Sequence, residues 1–166
     1  MPSRASRGFW KAIDGGMAPE LAVIAVTDDD GRLLAPDWLT RAEVVHRQLR
    51  DRLPADYAQR MAQVFAGGAR MVVAARGDTV LGVALWRLIE NTYEGRRLYV
   101  DDLVTDAANR SAGVGKALVG WLEAKAGELH CAVLALDSGT QRTDAHRFYF
   151  REGFIIPSFC FRKTLT

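Results

Sequence analysis

The sequence has few of the residues that form metal sites or disulfide frameworks. Its 166 residues include three histidines and two cysteines, Cys131 and Cys160, which lie far apart with no CxxC or Cys/His spacing. Such a distribution favours neither a disulfide framework nor a zinc site, and we expect no metal cofactor. Because free cysteine is among the most buried residue types, we expect both thiols to be buried and inert.

Charge of one sign and long apolar runs are also scarce. The formal net charge is +2, and the arginines are scattered among aspartates and glutamates, whereas a nucleic-acid-binding domain usually carries a basic stripe. No apolar stretch approaches the roughly 20 residues of a membrane span. Residues 1–16 contain basic side chains but no apolar core of a secretory signal. We therefore expect a cytoplasmic protein whose partners include neither nucleic acid nor a membrane.

The remaining composition is that of an ordinary globular domain. Apolar residues make up 49% of the chain and charged residues 25%, close to the average for such domains. A chain of 166 residues suits one domain with a sizeable core. We interpret residues 18–166 as a single domain and residues 1–17 as a disordered leader, with Met17 as an alternative start.

Hydrophobic periodicity predicts a mixed α/β domain in the order strand, two helices, three strands, helix, strand, helix, strand. Thr40 and Glu43 have the spacing of a capping box at the start of the first helix, and Pro54 suits the first turn of the second. The predicted strands are residues 21–27, 71–76, 79–89, 97–105, 131–136 and 154–161. One helix joins two strands, so we expect a mostly antiparallel sheet with a central right-handed strand–helix–strand crossover.

A glycine-containing loop between a predicted strand and helix is the most informative stretch. Gly113 and Gly115 allow the backbone to approach a ligand closely, and Arg110 and Lys116 add positive charge. The first turn of a helix has unpaired N–H groups and a partial positive charge, which together bind phosphate. The spacings of a P-loop and of a Rossmann fingerprint are absent from this stretch.

Two motifs resemble those of the GNAT acetyltransferase superfamily. Arg110, Gly113 and Gly115 form an Arg-x-x-Gly-x-Gly pattern similar to the family's pyrophosphate-binding loop. Residues 145–154 are similar to its second motif, Ala-x-x-Phe-Tyr-x-x-x-Gly-Phe, and lie one helix and one strand downstream. The resemblance covers residue 71 to the C-terminus and, by element order only, the N-terminal helices. It implies the GNAT fold and an N-acetyltransferase with acetyl-CoA as the acetyl donor.

The resemblance also implies where acetyl-CoA binds. Residues 99–105 resemble the strand that pairs with the pantetheine arm, with Thr105 beside that arm and the N–H of Leu103 or Val104 at the oxyanion. The loop residues implied to bind the cofactor are Arg110, Ser111, Ala112, Gly113, Val114, Gly115 and Lys116. Residues 136–139 stand where many members carry an asparagine, so that contact is not carried over.

Acetyl transfer to an amine needs a proton acceptor and a proton donor. The resemblance implies Tyr149 as the donor to the departing thiolate and Asp101 as the carboxylate that faces the amine, acting directly or through water. Adjacent strand residues point to opposite faces, so only one of Asp101 and Asp102 faces the substrate unless a bulge intervenes. The alternatives are an ion pair of Asp101 with Arg96 or Arg97, and a purely packing role for the tyrosine.

The acceptor is expected to be a primary amine of a small molecule, attacking acetyl-CoA directly in a ternary complex. Glu90 and Glu94 are further candidates for a cleft that binds a cationic amine, and His146 is expected at the rim. Four aromatic residues either wall the acceptor pocket or belong to the core: Trp38, Tyr57, Phe65 and Trp86. A protein lysine or N-terminal acetyltransferase and a non-catalytic CoA-binding sensor are the alternatives. The apolar residues 154–161 suggest either a homodimer interface or a buried strand.

Overall fold

The computed structural model describes residues 19–165, which form a five-stranded sheet with helices on both faces. The strands are β1 (Leu21–Ala25), β2 (Arg70–Arg76), β3 (Thr79–Asn91), β4 (Gly95–Thr105) and β5 (Val133–Leu136). The helices are α1 (Pro36–Leu49), α2 (Tyr57–Ala66), α3 (Val114–Glu128) and α4 (Thr143–Arg151), and a short 3-10 turn covers Ala107–Asn109. The expected leader, residues 1–17, lies outside the described residues.

The sheet follows the chain in the order β1-β2-β3-β4-β5. The first four strands pair antiparallel, whereas β4 and β5 are parallel and are joined through α3. A parallel pair needs such a crossover because a tight turn cannot connect the strands. The mixed α/β fold expected from the sequence is thus confirmed.

Two hydrophobic cores lie on opposite faces of the sheet. Residues of β2 alternate between them, since successive strand side chains point to opposite sides. Met71 and Val73 join the core that contains α1 and α2. Val72 and Ala74 join the core under α3. The continuous apolar run of this strand is therefore explained by burial on both faces.

Both N-terminal helices begin at other residues than the sequence patterns indicate. α1 begins at Pro36, because proline fits the first turn, where its missing N–H is not needed. Thr40 lies inside this helix and its hydroxyl donates to the Pro36 carbonyl at 3.1 Å, so the predicted capping box is wrong. α2 begins at Tyr57 because the Asp56 carboxylate accepts from the Gln59 N–H at 2.9 Å, which leaves Pro54 outside the helix.

The predicted C-terminal strand is also wrong. Residues 154–165 follow α4 without regular secondary structure. A strand needs a partner, and Pro157 lacks the N–H that a ladder would use. The exposed fractions of the large apolar side chains in this segment run from 64% to 94%, at Ile155, Ile156, Phe159, Phe161 and Leu165. Cys160 is exposed as well and Cys131 only half-buried, so the expectation of two buried thiols is wrong.

Helix α3 packs unusually close to β3 at Gly82. A Cβ built on this glycine would lie 2.7 Å from Val114 Cγ1 and 2.9 Å from Leu118 Cδ1. Both distances are too short for real carbon atoms. The absence of a side chain at Gly82 therefore sets how deeply the first turn of α3 sits on the sheet.

We expect Gly82→Ala to lower the free energy of unfolding by about 1–3 kcal/mol, because the added methyl group overpacks the core under α3. Urea denaturation followed by circular dichroism measures the change. Gly120→Ala is the control, since Gly120 lies in α3 with no atom within 4 Å of an added Cβ. That substitution should raise stability by up to about 1 kcal/mol. Equal stability of the two variants would contradict the packing argument.

Candidate active site

Strands β4 and β5 separate towards their carboxyl ends and leave a cleft. Their last pair is Val100 with Leu136, where β5 ends. β4 continues to Thr105 and is paired over this stretch with β3 on its other side. The backbone of β4 beyond Val100 therefore faces the cleft with no strand of the described residues beside it. Such an edge offers N–H and C=O groups to an extended ligand.

A bulge in β4 lies at the mouth of this cleft. Leu85 of β3 is paired with Asp102, and Trp86 is paired with Val100. Asp101 therefore has no partner residue in β3. The extra residue reverses the alternation of side chains along β4. Val100 packs in the core under α3, whereas Val104 packs in the core of α1 and α2. The alternation expected to separate the two aspartates is thereby interrupted at this point.

Asp101 forms a close ion pair with Arg87 of β3. The guanidinium donates to Asp101 Oδ2 from Nε at 2.8 Å and from Nη2 at 2.6 Å, and its Nη1 donates to the Gly67 carbonyl after α2. The ion pair considered from the sequence exists, but its partner is not Arg96 or Arg97, which pair with glutamates instead. This aspartate therefore lies on the sheet face that carries α1 and α2.

Asp102 points to the same face and contacts α1. Its Oδ2 lies 2.8 Å from Nε2 of the buried His46, and its Oδ1 accepts from Nε of Arg50 at 2.7 Å. Burial by itself would raise the pKa of the Asp102 carboxyl, but hydrogen bonds and charge from His46 and Arg50 hold it below its ordinary value. Asp102 is thus an ionised carboxylate at neutral pH.

The two aspartates and Tyr149 line one small cavity at the point where β4 and β5 separate. Arg142 at the start of α4 and Asp137 after β5 lie in the same wall. Tyr149 of α4 is only 9% exposed and packs edge-on against Phe148 and Phe154. Burial raises the pKa of Tyr149 and the Arg142 guanidinium opposes this only in part, so the phenol is protonated at neutral pH.

The N-terminus of α3 completes the cleft at its other end. Gly113 precedes the helix with a left-handed φ of 79° and provides no side-chain cap, and Ser111 also has a positive φ of 65°. The first-turn N–H groups of α3 lack partners within the helix. A Cβ on Gly115 would lie 3.1 Å from the Phe148 ring and 3.6 Å from Thr105 Oγ1. The predicted phosphate loop, the end of β4 and α4 therefore meet at one place.

Comparison with known proteins assigns this arrangement to a family. Residues 33–154 match the description of the acetyltransferase (GNAT) family. The chain is a GNAT acetyltransferase. It is 36% identical over 109 residues to the uncharacterized N-acetyltransferase YhdJ of Bacillus subtilis, which covers 64% of this chain and 77% of that protein. The family and the activity class of an acyltransferase that the sequence motifs implied are therefore confirmed.

Two further relatives extend the comparison. The acetyltransferase is 35% identical over 66 residues to the aminoalkylphosphonate N-acetyltransferase of Salmonella typhimurium, a match that covers 40% of this chain and 43% of that one. Its fold matches the aminoglycoside N-acetyltransferase AAC(6')-Iy in complex with CoA, with a TM-score of 0.75 and 14% identity over 91% of this chain and 99% of that one. At that identity the likeness shows the fold alone.

Other candidates from the sequence lie away from the cavity of the acetyltransferase. Glu90 and Glu94 pair with arginines near the β3–β4 turn. The aromatic residues Tyr57, Phe65 and Trp86 are buried in the two cores, and Trp38 packs against one of them. Nε2 of His146 lies 3.0 Å from the Gly139 carbonyl, and this half-buried residue does not line the cavity.

Sequence reasoning missed His46, Arg50 and Arg87 of this acetyltransferase. The histidine lies on the buried stripe of α1 with Leu39 and Ala42, and a polar residue on an apolar stripe is the signal that could have found it. The two arginines carried no such signal, because their partners are distant in the sequence. Residues 19–165 contain no group of three or more metal-ligating side chains and no helix long and apolar enough to cross a bilayer.

Proposed function

We propose that this enzyme binds acetyl-CoA in the cleft between β4 and β5 and transfers the acetyl group to a primary amine of a small molecule. The observation that carries the proposal is the meeting of Tyr149, the paired aspartates and the open edge of β4 in one cavity. Family membership supports the donor and the reaction class.

The two ends of the cofactor would contact different parts of the cleft. The pyrophosphate would bind the first-turn N–H groups of α3 and the loop of residues 110–116, with Arg110 and Lys116 as cationic partners. The pantetheine arm would pair with β4 at Leu103, Val104 and Thr105, whose edge has no strand beside it. This arrangement brings the thioester to Tyr149.

The reaction would be a direct attack within a ternary complex. Near pH 7 only about a thousandth of an alkylamine is neutral, so the ammonium must first lose a proton, directly or through water, to Asp101. The amine nitrogen then forms a bond to the thioester carbon while the N–H of Leu103 or Val104 stabilises the oxyanion. As the carbon–sulfur bond breaks, the phenol of Tyr149 protonates the CoA thiolate. The nitrogen, still carrying an extra proton after the attack, returns that proton to the Tyr149 phenolate directly or through water, and Asp101 releases its proton to the solvent. The products are the amide and free CoA.

The acceptor we propose is a small molecule with a cationic amine. Three carboxylates line the cavity, at Asp101, Asp102 and Asp137. They outnumber the two guanidinium groups in its lining, those of Arg50 and Arg142, and this excess favours an ammonium group. The named activity of one relative, the aminoalkylphosphonate N-acetyltransferase of Salmonella typhimurium, agrees with this class.

A thiol-release assay with acetyl-CoA tests the proposal on polyamines, aminoalkylphosphonates, aminoglycosides, amino acids and lysine peptides. We expect release with one class of small amine. Tyr149→Phe should lower kcat about 100-fold, because it removes the proton donor, and should leave the affinity for acetyl-CoA unchanged. Tyr93→Phe is the control, since Tyr93 is exposed in the β3–β4 turn. Asp101→Asn, measured beside them, should also slow turnover.

Three results would contradict parts of this proposal. Release only with lysine peptides would make the enzyme a protein acetyltransferase. Binding of acetyl-CoA without release for any acceptor would favour a sensor. Equal activity of Tyr149→Phe and wild type would remove the tyrosine from the mechanism.

The contribution of the loop before α3 can be measured separately. Gly113→Ala forces an alanine into a left-handed conformation, at a cost of about 1 kcal/mol, and should weaken acetyl-CoA binding in isothermal titration by moving the first turn of α3. Gly95→Ala is a matched control, because Gly95 has a similar φ of 73°, has no atom near an added Cβ, and is the first residue of β4, at the far end of that strand from the loop. It should lose comparable stability and bind acetyl-CoA normally. Equal loss of binding in both would show that the loop has no specific role.

The exposed C-terminal segment supports a proposed homodimer. Ile155, Phe159 and Phe161 would bury their side chains against a second copy. We expect analytical ultracentrifugation to show a dimer at micromolar concentration and a monomer after Phe159→Ser with Phe161→Ser. A wild-type monomer would refute the dimer without affecting the catalytic proposal.

A further inference from the structure

His46 is a buried polar residue for which the proposed reaction has no use. It lies in α1 with an exposed fraction of 1%, within a stripe of apolar side chains. A buried polar group is costly unless it is hydrogen-bonded. Here both ring nitrogens have partners, Tyr57 Oη at 2.9 Å from Nδ1 and Asp102 Oδ2 at 2.8 Å from Nε2. A hydrocarbon side chain would fill the space but would leave the Tyr57 hydroxyl and Asp102 Oδ2 without these hydrogen bonds.

The chemistry of Asp102 fixes the direction of one of these hydrogen bonds. Asp102 is ionised and only accepts, so Nε2–H of His46 donates to it. Burial raises the pKa of Tyr57 and the charges of Glu43 and Asp102 raise it further, with Arg47 opposing, so this phenol keeps its proton. In the His46 tautomer with its single proton on Nε2, the Tyr57 hydroxyl donates to Nδ1. The hydrogen bonds then connect α2 through α1 to the carboxylate in β4.

The two partners of Asp102 differ in how firmly they are held. The Arg50 side chain at the end of α1 is 52% exposed, whereas the His46 side chain is 2% exposed. The half-exposed guanidinium, which also donates to the Asp101 carbonyl at 3.2 Å, can exchange Asp102 for water or for another ion more easily than the buried imidazole can. The buried imidazole has no alternative partner. His46 is thus the permanent contact of Asp102, and Arg50 is the exchangeable one.

We propose that His46 is a positioning residue that holds Asp102 as a fixed carboxylate in the cleft wall, where it binds the ammonium group of the acceptor in place of Arg50. The proposal rests on the proposed function, and it adds a binding carboxylate distinct from Asp101, whose Oδ2 accepts two hydrogen bonds from Arg87. A carboxylate already aligned by its surroundings binds a cation without first losing side-chain freedom.

The charged and titratable groups around the pair come from every neighbouring element. They are Glu43 and Arg47 of α1, Arg50 directly after α1, Tyr57 of α2, Arg87 of β3, Asp101 of β4, Asp137 after β5 and Arg142 directly before α4. Substitution of His46 leaves all of these unchanged. A change in the titration of Asp102 can therefore be assigned to the lost hydrogen bond.

Two variants separate positioning from packing. His46→Gln keeps an N–H donor near the position of Nε2, whereas His46→Leu keeps an apolar side chain of similar size and no donor. We expect His46→Leu to raise KM for the amine about tenfold, as for loss of a hydrogen bond to a charged group. Its kcat should stay within about threefold and its affinity for acetyl-CoA should be unchanged. His46→Gln should restore most of the amine KM.

Carbon-13 NMR of the Asp102 carboxyl gives a readout that does not need activity. In the wild type this carboxyl should titrate below the ordinary aspartate value of about 3.9. The pKa should rise in His46→Leu and fall back in His46→Gln, because only the leucine removes the donor. Nitrogen-15 spectra of the wild type should show a proton on Nε2 of His46, the atom 2.8 Å from Asp102 Oδ2.

The proposal is overturned if His46→Leu and His46→Gln have the same KM for the amine and the same pKa of Asp102. It is also overturned if His46→Leu changes neither quantity from the wild-type value. If the wild-type enzyme acetylates no amine, the proposed function is refuted. The titration of the Asp102 carboxyl would still test whether His46 holds that carboxylate in place.

Discussion

Asp101 is an extra residue in β4, and it reverses which face of the sheet the side chains of the following residues point to. Up to Val100 the inward side chains of β4 belong to the core under α3, and from Asp102 they belong to the core of α1 and α2. The bulge at Asp101 lies where the pairing with β5 stops. The side chains of Asp101 and Asp102 therefore both lie on the sheet face that carries α1 and α2. At the same place the backbone of β4 has no neighbouring strand on the side of β5.

Asp101 and Asp102 are tolerated at this position because each forms an ion pair with an arginine from another element. Arg87 of β3 fixes Asp101 with two nitrogen atoms of a planar fork, and Arg50 accompanies Asp102 from the end of α1. An isolated buried carboxylate would take up a proton instead. These contacts also connect the helical layer to the sheet, so the shape of the cavity depends on the position of α1 as much as on β4.

Much of the fold was predictable because it follows from local patterns. The continuous apolar run of β2, the turns with glycine and the helical spacing of apolar residues in α3 are three such patterns. Each depends on residues close together in the sequence. The bulge was not predictable, since it depends on the register between two strands. The contact of His46 with Asp102, which are 56 residues apart, was equally inaccessible. The C-terminal segment was misassigned for the opposite reason, because its composition favours a strand for which the described residues supply no partner.

The sheet separates two cores, one with α1 and α2 and one with α3. In the proposed function the first faces the acceptor and the second carries the helix that binds the cofactor. Substitutions distant from one another and without shared partners have nearly additive effects. In that case, substitutions in the N-terminal helices can change which amine is accepted. They leave unchanged the packing of α3 against Gly82. A new substrate preference in this chain would arise by drift in one layer while the other stays under selection.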